Sequence, residues 1–162
     1  MNHVVAAQEA DIAAWRELAR QVEPLFGAPM ADDPGFVRAV GNAIAQGRAL
    51  CVHSAEGMLL GGLLWSGPDP TYEIGWLAVD EAARHQGVGR ALVEAFLAQV
   101  PAGQEVRVVT FCEQDPLGAP ARAFYRALGF CPGEATQDRN GMLRQAYYLR
   151  ADPSDQRGGS TA

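Results

Sequence analysis

Trp76-Leu77-Ala78-Val79-Asp80 followed by Arg84-His85-Gln86-Gly87-Val88-Gly89-Arg90-Ala91 is the stretch whose reading decides this chain. Tyr72 to Val79 reads as a strand. From Val88 to Val100 the apolar residues Val88, Ala91, Leu92, Ala95, Phe96 and Val100 keep a helical period, and Pro101 ends it. Between them, two glycines two apart allow backbone to approach a ligand without interference from a Cβ. The first amide groups of a helix have no partner within it, and the helix dipole favours an anion there. Strand, glycine turn and helix together describe a cradle for phosphate or pyrophosphate. Arg84 and Arg90 are placed to add charge-assisted hydrogen bonds.

Two familiar phosphate sites fit poorly. The nucleotide-binding P-loop ends in Gly-Lys, and all 13 basic residues of this chain are arginine. The dinucleotide fingerprint needs a third glycine, and Leu92 stands in its place.

Outward from this stretch the chain alternates elements. Val4 to Ala6 reads as a strand. A helix with Asp11 as its cap presents Ile12, Trp15, Leu18 and Ala19. Pro24 to Pro34 reads as a loop, and a second helix places Phe36, Val37, Val40, Ala43 and Ile44 on one face, stopping near Gly47. Ala49 to His53 and Met58 to Trp65 form a hairpin, and Gly67-Pro68-Asp69-Pro70 forces a turn. Val106 to Phe111 is a strand, and Ala121 to Leu128 is a helix closed by Gly129. Two last strands near Glu134 to Gln137 and Leu143 to Leu149 flank Asn140-Gly141. The order implies a mixed sheet covered by helices, of the α/β (α+β) class.

With 162 residues, 48% hydrophobic and 20% charged, the chain suits one soluble domain over residues 1–150, with a polar, disordered tail over 151–162. No apolar run is long enough for a bilayer and the start is unlike a signal peptide, so we expect a cytoplasmic protein without a membrane partner. A net charge of −6 argues against nucleic acid. Cys51, Cys112 and Cys131 form no CxxC pair and read as buried or half-buried thiols. His3, His53 and His85 suggest no metal-ligand cluster.

Arg84-x-x-Gly87-x-Gly89 resembles motif A of the GNAT superfamily of N-acetyltransferases. Leu77-Ala78-Val79-Asp80 looks like that family's "LAVDP" segment, with Glu81 in place of proline. Ala121-Arg122-Ala123-Phe124-Tyr125-Arg126-Ala127-Leu128-Gly129-Phe130 is similar to its motif B. The resemblance implies a mostly antiparallel central sheet with one splayed strand pair, acetyl-CoA as co-substrate, and no metal. It implies that pantetheine lies along Leu77, Ala78 and Val79. The pyrophosphate then sits on the turn formed by Arg84, His85, Gln86, Gly87, Val88, Gly89, Arg90 and Ala91, and Ala121 joins the cofactor-binding set.

The same resemblance gives Tyr125 the role of general acid toward the coenzyme A sulfur, a phenol being protonated at neutral pH. It gives Glu73 the role of general base, its acidity reduced by burial between Tyr72 and Trp76, with Glu113 and Asp115 in reserve. One departure stands out: Gly118 occupies the position, seven residues before the tyrosine, where the family often has a cofactor-contacting asparagine.

The implied activity is acetyl transfer to an amine by direct attack in a ternary complex, on a small molecule. The alternative is a non-catalytic acyl-CoA-binding module. A homodimer is compatible with either. Asp32 and Asp33 are helix-start signals or attractors for a cationic amine, and Phe26, Met30, Phe36 and Trp65 suit either the core or an acceptor pocket.

Overall fold

Strand β3 (Leu59–Ser66) carries two adjacent glycines that explain how its part of the molecule is layered. Successive residues of a strand point to opposite faces. A Cβ on Gly61 would lie 2.7 Å from a Val88 methyl, and one on Gly62 would lie 2.6 Å from the Trp15 ring. Val88 opens helix α3 (Val88–Leu97) and Trp15 belongs to helix α1 (Ile12–Phe26). A helix therefore presses on each face of β3, so closely that only hydrogen fits between.

The computed structural model describes residues 2–150, and the tail expected from Ala151 onward lies outside them. The described chain divides into two units. One holds the chain up to Ser66 together with Gly75–Ala98, and the other holds Gly67–Ile74 and the chain from Gln99 on.

In the first unit β1 (Val4–Ala6) pairs antiparallel with β2 (Ala49–His53), and β2 pairs antiparallel with β3. Trp15, Leu18, Val22, Val40, Cys51, Leu64 and Trp76 share one core, with helix α2 (Pro34–Ala45) supplying Val40. Trp76 comes from β4 (Tyr72–Val79), whose residues Ile74, Trp76 and Ala78 alternate into the interior. Its ring stands 5.6 Å from those of Trp15 and Phe36.

In the second unit the first residues of β4 pair in parallel with β5 (Glu105–Phe111). β5 pairs antiparallel with β7 (Leu143–Arg150), which pairs antiparallel with β6 (Cys131–Gln137). Helix α4 (Ala119–Ala127) packs against β5. Pairing thus runs β1-β2-β3-β4 in one unit and β4-β5-β7-β6 in the other, β4 serving both. This is the expected mixed, mostly antiparallel α/β class with flanking helices.

The departures from expectation have local causes. Helix α1 runs through Pro24 to Phe26, although Pro24 removes one i→i−4 hydrogen bond from it. Gly27 closes that turn in the left-handed region (φ 73°), and the Glu23 carboxylate accepts the amides of Met30 and Ala31 at 2.7 and 2.8 Å. Asp11 stands at the start of α1 without capping it; its carboxylate turns to the Gln8 amide and to His53. Helix α3 ends at Leu97, short of Val100. Cys131 is exposed, where a buried or half-buried thiol was expected, because β6 is an edge strand carrying little apolar surface. Among the described residues, no helix is long and apolar enough to cross a membrane.

The layering makes a definite demand. Gly62→Ala forces a methyl against the Trp15 ring, and we expect a loss of about 1–3 kcal/mol, read as a lower midpoint in urea unfolding. An unchanged midpoint would contradict the packing described for β3.

Candidate functional site

The turn between β4 and α3 is built to leave donors and hide acceptors. Asp80 caps a 3-10 turn over Glu81–Ala83, accepting the Ala82 amide at 2.9 Å. Beyond it, His85 (φ 63°) and Gly87 (φ 81°) both take the left-handed region, which swings the chain into α3. Side chains then consume carbonyl oxygens of the segment. Arg84 Nε donates to Val79 O at 3.3 Å, Gln86 Nε2 to Ala82 O at 3.2 Å, and Asn2 Nδ2 to Gln86 O at 2.8 Å. Gly87 O accepts the Ala91 amide at 3.0 Å. Among the described residues, no acceptor is recorded for the amides of Gln86, Gly87, Val88, Gly89 and Arg90.

Val88 is buried and anchors this end of α3 against β3, whereas Arg84, His85, Gln86, Gly87 and Arg90 are exposed. Arg90 meets only the exposed carboxylate of Glu94, at 3.4 Å, a pair that contributes little. Such an array of unpaired amides at a helix start suits an anion. On β4, Ala78 points into the core and Leu77 and Val79 are half-buried. The parallel pairing of β4 with β5 joins Tyr72, Glu73 and Ile74 to Val106, Arg107 and Val108, while β4 itself continues to Val79.

In the second unit, Tyr125 lies on the buried face of α4, with Ala121 one turn before it. Its ring meets Phe124 and Phe130 edge-on at 5.1 and 5.4 Å. Burial pushes the Tyr125 hydroxyl above the ordinary tyrosine range. Desolvation is the one cause of that shift.

Gly118 has a packing reason. A Cβ there would sit 2.0 Å from Phe111 Cβ and 2.6 Å from Arg122 Nη1. Arg122 is buried and ties the loop together, donating through Nη1 to Cys112 O at 2.7 Å and Asp115 O at 2.8 Å. An asparagine has no room at this position. Asp115 is occupied as a cap, accepting the Leu117 amide at 3.0 Å.

Glu73 is not sandwiched between Tyr72 and Trp76. Strand alternation sends Trp76 inward with Ile74 and puts Glu73 on the other face, where Arg107 Nη1 meets both its carboxylate oxygens at 3.3 Å. Arg107 Nε also reaches Tyr148 Oη at 3.3 Å, and Glu134 lies 3.7 Å from Nη2. The reserve carboxylate Glu113 is held below the ordinary range by the Tyr147 hydroxyl (2.9 Å) and then by Arg126.

The acceptor candidates separate. Asp33 caps α2, accepting the Gly35 amide at 2.9 Å, and Asp32 pairs with Arg16 and Arg20. Phe26 and Phe36 pack on Trp76, but Trp65, three residues beyond Gly62 on the strand, takes the opposite face and meets Phe96 at 5.3 Å. Sequence reading missed Arg107 and Arg122. Only Arg122 had a signal, its spacing three residues before Tyr125 on one helix face.

The acetyltransferase (GNAT) family model matches residues 12–130. Among solved structures, Ard1 from Thermoplasma volcanium has a TM-score of 0.72 at 20% identity, covering 93% of this chain and 98% of its own. The ribosomal-protein-S18-alanine N-acetyltransferase from Escherichia coli has a TM-score of 0.69 at 16% identity, covering 94% and 95%. A phosphinothricin acetyltransferase from Sinorhizobium meliloti, in complex with AcCoA, has a TM-score of 0.70 at 15% identity, covering 94% and 89%. No curated protein matches the chain.

The filled space at position 118 yields a test. Gly118→Ala must displace Phe111 or Arg122 and is expected to cost about 1–3 kcal/mol by denaturant unfolding. Full stability in the variant would show that the loop is looser than its contacts imply.

Proposed function

Since the chain belongs to the acetyltransferase (GNAT) family, we propose that it carries an acetyl group from acetyl-CoA to the amine of a small molecule, by direct attack with both substrates bound. The chain is an acyltransferase and acetyl-CoA is its co-substrate. One observation carries the reading of how that co-substrate is held. Amides from Gln86 to Arg90 have no recorded acceptor, while side chains take up the carbonyls of Val79, Ala82 and Gln86. A surface of donors alone favours the pyrophosphate of coenzyme A and disfavours cations.

In this reading Arg84 stiffens the turn through Val79 O, and Arg90 adds charge at its rim. Leu77, Ala78 and Val79 offer extended backbone to the pantetheine arm, and Ala121 on α4 is a further cofactor-binding residue. Acetyl transfer then needs a neutral amine and a protonated leaving thiolate. Tyr125 holds a proton in an apolar setting and gives it to the departing sulfur. Glu73, steadied by Arg107, takes the proton of the incoming amine directly or through water. A net charge of −6 draws small cationic amines toward the protein. The free thiols at Cys51, Cys112 and Cys131 accord with a cytoplasmic setting.

The test is thiol release from acetyl-CoA across a panel of amines. Wild type should turn over at least one of them, and Tyr125→Phe should lower kcat about 100-fold. Equal turnover by the variant would remove Tyr125 from the chemistry, and coenzyme A binding without product from any amine would contradict the transfer.

The pH dependence follows from the same tyrosine. Its raised pKa keeps the proton in place past the ordinary value of about 10, so Tyr125 should cause no alkaline loss of kcat below that pH. A falling limb between pH 7 and about 9 that vanishes in Tyr125→Phe would contradict this.

A further inference from the structure

Three side chains far apart in sequence converge in the first unit at a place the proposed chemistry does not use. Asp11 Oδ1 lies 2.7 Å from His53 Nε2. Cys51 Sγ lies 3.9 Å from Asp11 Oδ2 and 4.0 Å from the same His53 nitrogen. Their donor atoms fall within 4.8 Å of one another. Cys51 is fully buried, and Asp11 and His53 are partly so, with side chains 16% and 30% exposed.

The fold goes out of its way to bring them together. Cys51 and His53 are two apart on β2 and share a face. The β2–β3 register shifts between Val52 and His53, the kind of irregularity that re-aims a side chain. Asp11 stands at the N-terminal cap position of α1, where an aspartate ordinarily accepts helix amides. It forgoes that bond and turns toward β2, while the Gln8 amide, 2.7 Å from Oδ2, holds the carboxylate from behind.

A hydrogen-bonded triad fits this arrangement badly. In a relay the carboxylate takes one imidazole nitrogen and the thiol the other, whereas here both approach Nε2. A single ring nitrogen has one proton or one lone pair to offer, so it serves Asp11 Oδ1, and the Cys51 thiol keeps only its long 3.9 Å hydrogen bond to Asp11 Oδ2. An ion between the three atoms serves all of them.

We propose that Asp11, Cys51 and His53 form a binding site for a divalent ion of the zinc class. Thiolate, imidazole and carboxylate are the ligand set such ions take, and two negative charges balance a divalent cation. Tetrahedral ligation at about 2.0–2.3 Å per bond sets donor atoms roughly 3.3–3.6 Å apart. The 2.7 Å contact must open and the two sulfur contacts close, each by about half an ångström or slightly more. With three protein ligands the fourth position falls to water. The metal displaces the thiol proton, which burial first and the Asp11 charge second hold at a pKa of about 12. Bound there, the ion staples β2 to the start of α1.

Cobalt(II) titrated into the metal-stripped, full-length protein reads the site directly. The expected result is one equivalent bound, with a near-ultraviolet thiolate-to-cobalt band and the intense visible bands of four-coordination, and zinc(II) removing both. Zinc should also raise the Tm in a concentration-dependent way. Cys51→Ser should abolish the ultraviolet band, and Cys131→Ser should leave it intact. His53→Gln, at the more exposed position, should weaken binding at least about tenfold while thermal unfolding confirms a folded chain. No ultraviolet band at one equivalent, a band surviving Cys51→Ser, or unchanged affinity in His53→Gln would each overturn the site.

Discussion

A helix cannot satisfy its own first amide groups, and at the start of α3 no acceptor is recorded for them among the described residues. The surrounding residues work to that end. Gly87 and His85 adopt left-handed backbone so that the strand can turn directly into the helix. Arg84, Gln86 and Asn2 cover carbonyls of the same segment, which removes the competing acceptors. Beneath the turn, Val88 and Leu92 press against the bare face of β3 at Gly61, so the helix start cannot drift. Packing in the core thereby becomes electrostatics at the surface.

Strand β4 links this device to the rest of the molecule. Its inward residues Ile74, Trp76 and Ala78 build the core, and its last residues lead into the turn before α3. Its first residues pair with β5 and align Glu73 with Arg107. The second unit uses its polar residues differently. Arg122 and Arg126 knit the loop after β5, with Glu113 and Tyr147, and leave Tyr125 in apolar surroundings.

Much of this was legible in the sequence because it is local. Strand alternation over Tyr72–Val79, helical spacing after Val88 and the glycines of the turn are all short-range signals; β4 stands where the pattern put it, and α3 starts there but ends three residues early. What was not legible depends on partners distant along the chain. The Glu73–Arg107 pair spans 34 residues and follows from a register that no local pattern encodes. Asp11 has the look of a helix cap, and only the fold reveals that His53, 42 residues on, claims its carboxylate. Gly118 reads as a lost cofactor contact until Phe111 and Arg122 are seen to fill the space. Pro24 marks a helix end by rule, yet α1 continues past it to Phe26.

Amide NMR observes the N–H groups of the α3 entrance individually. Titration of labelled protein with acetyl-CoA should shift the Gln86, Gly87, Val88, Gly89 and Arg90 N–H resonances in a saturable way. Phosphopantetheine, which lacks the pyrophosphate, should move them far less at equal occupancy. If acetyl-CoA binds while those five resonances stay in place, the anion-binding turn is elsewhere and the central claim is wrong.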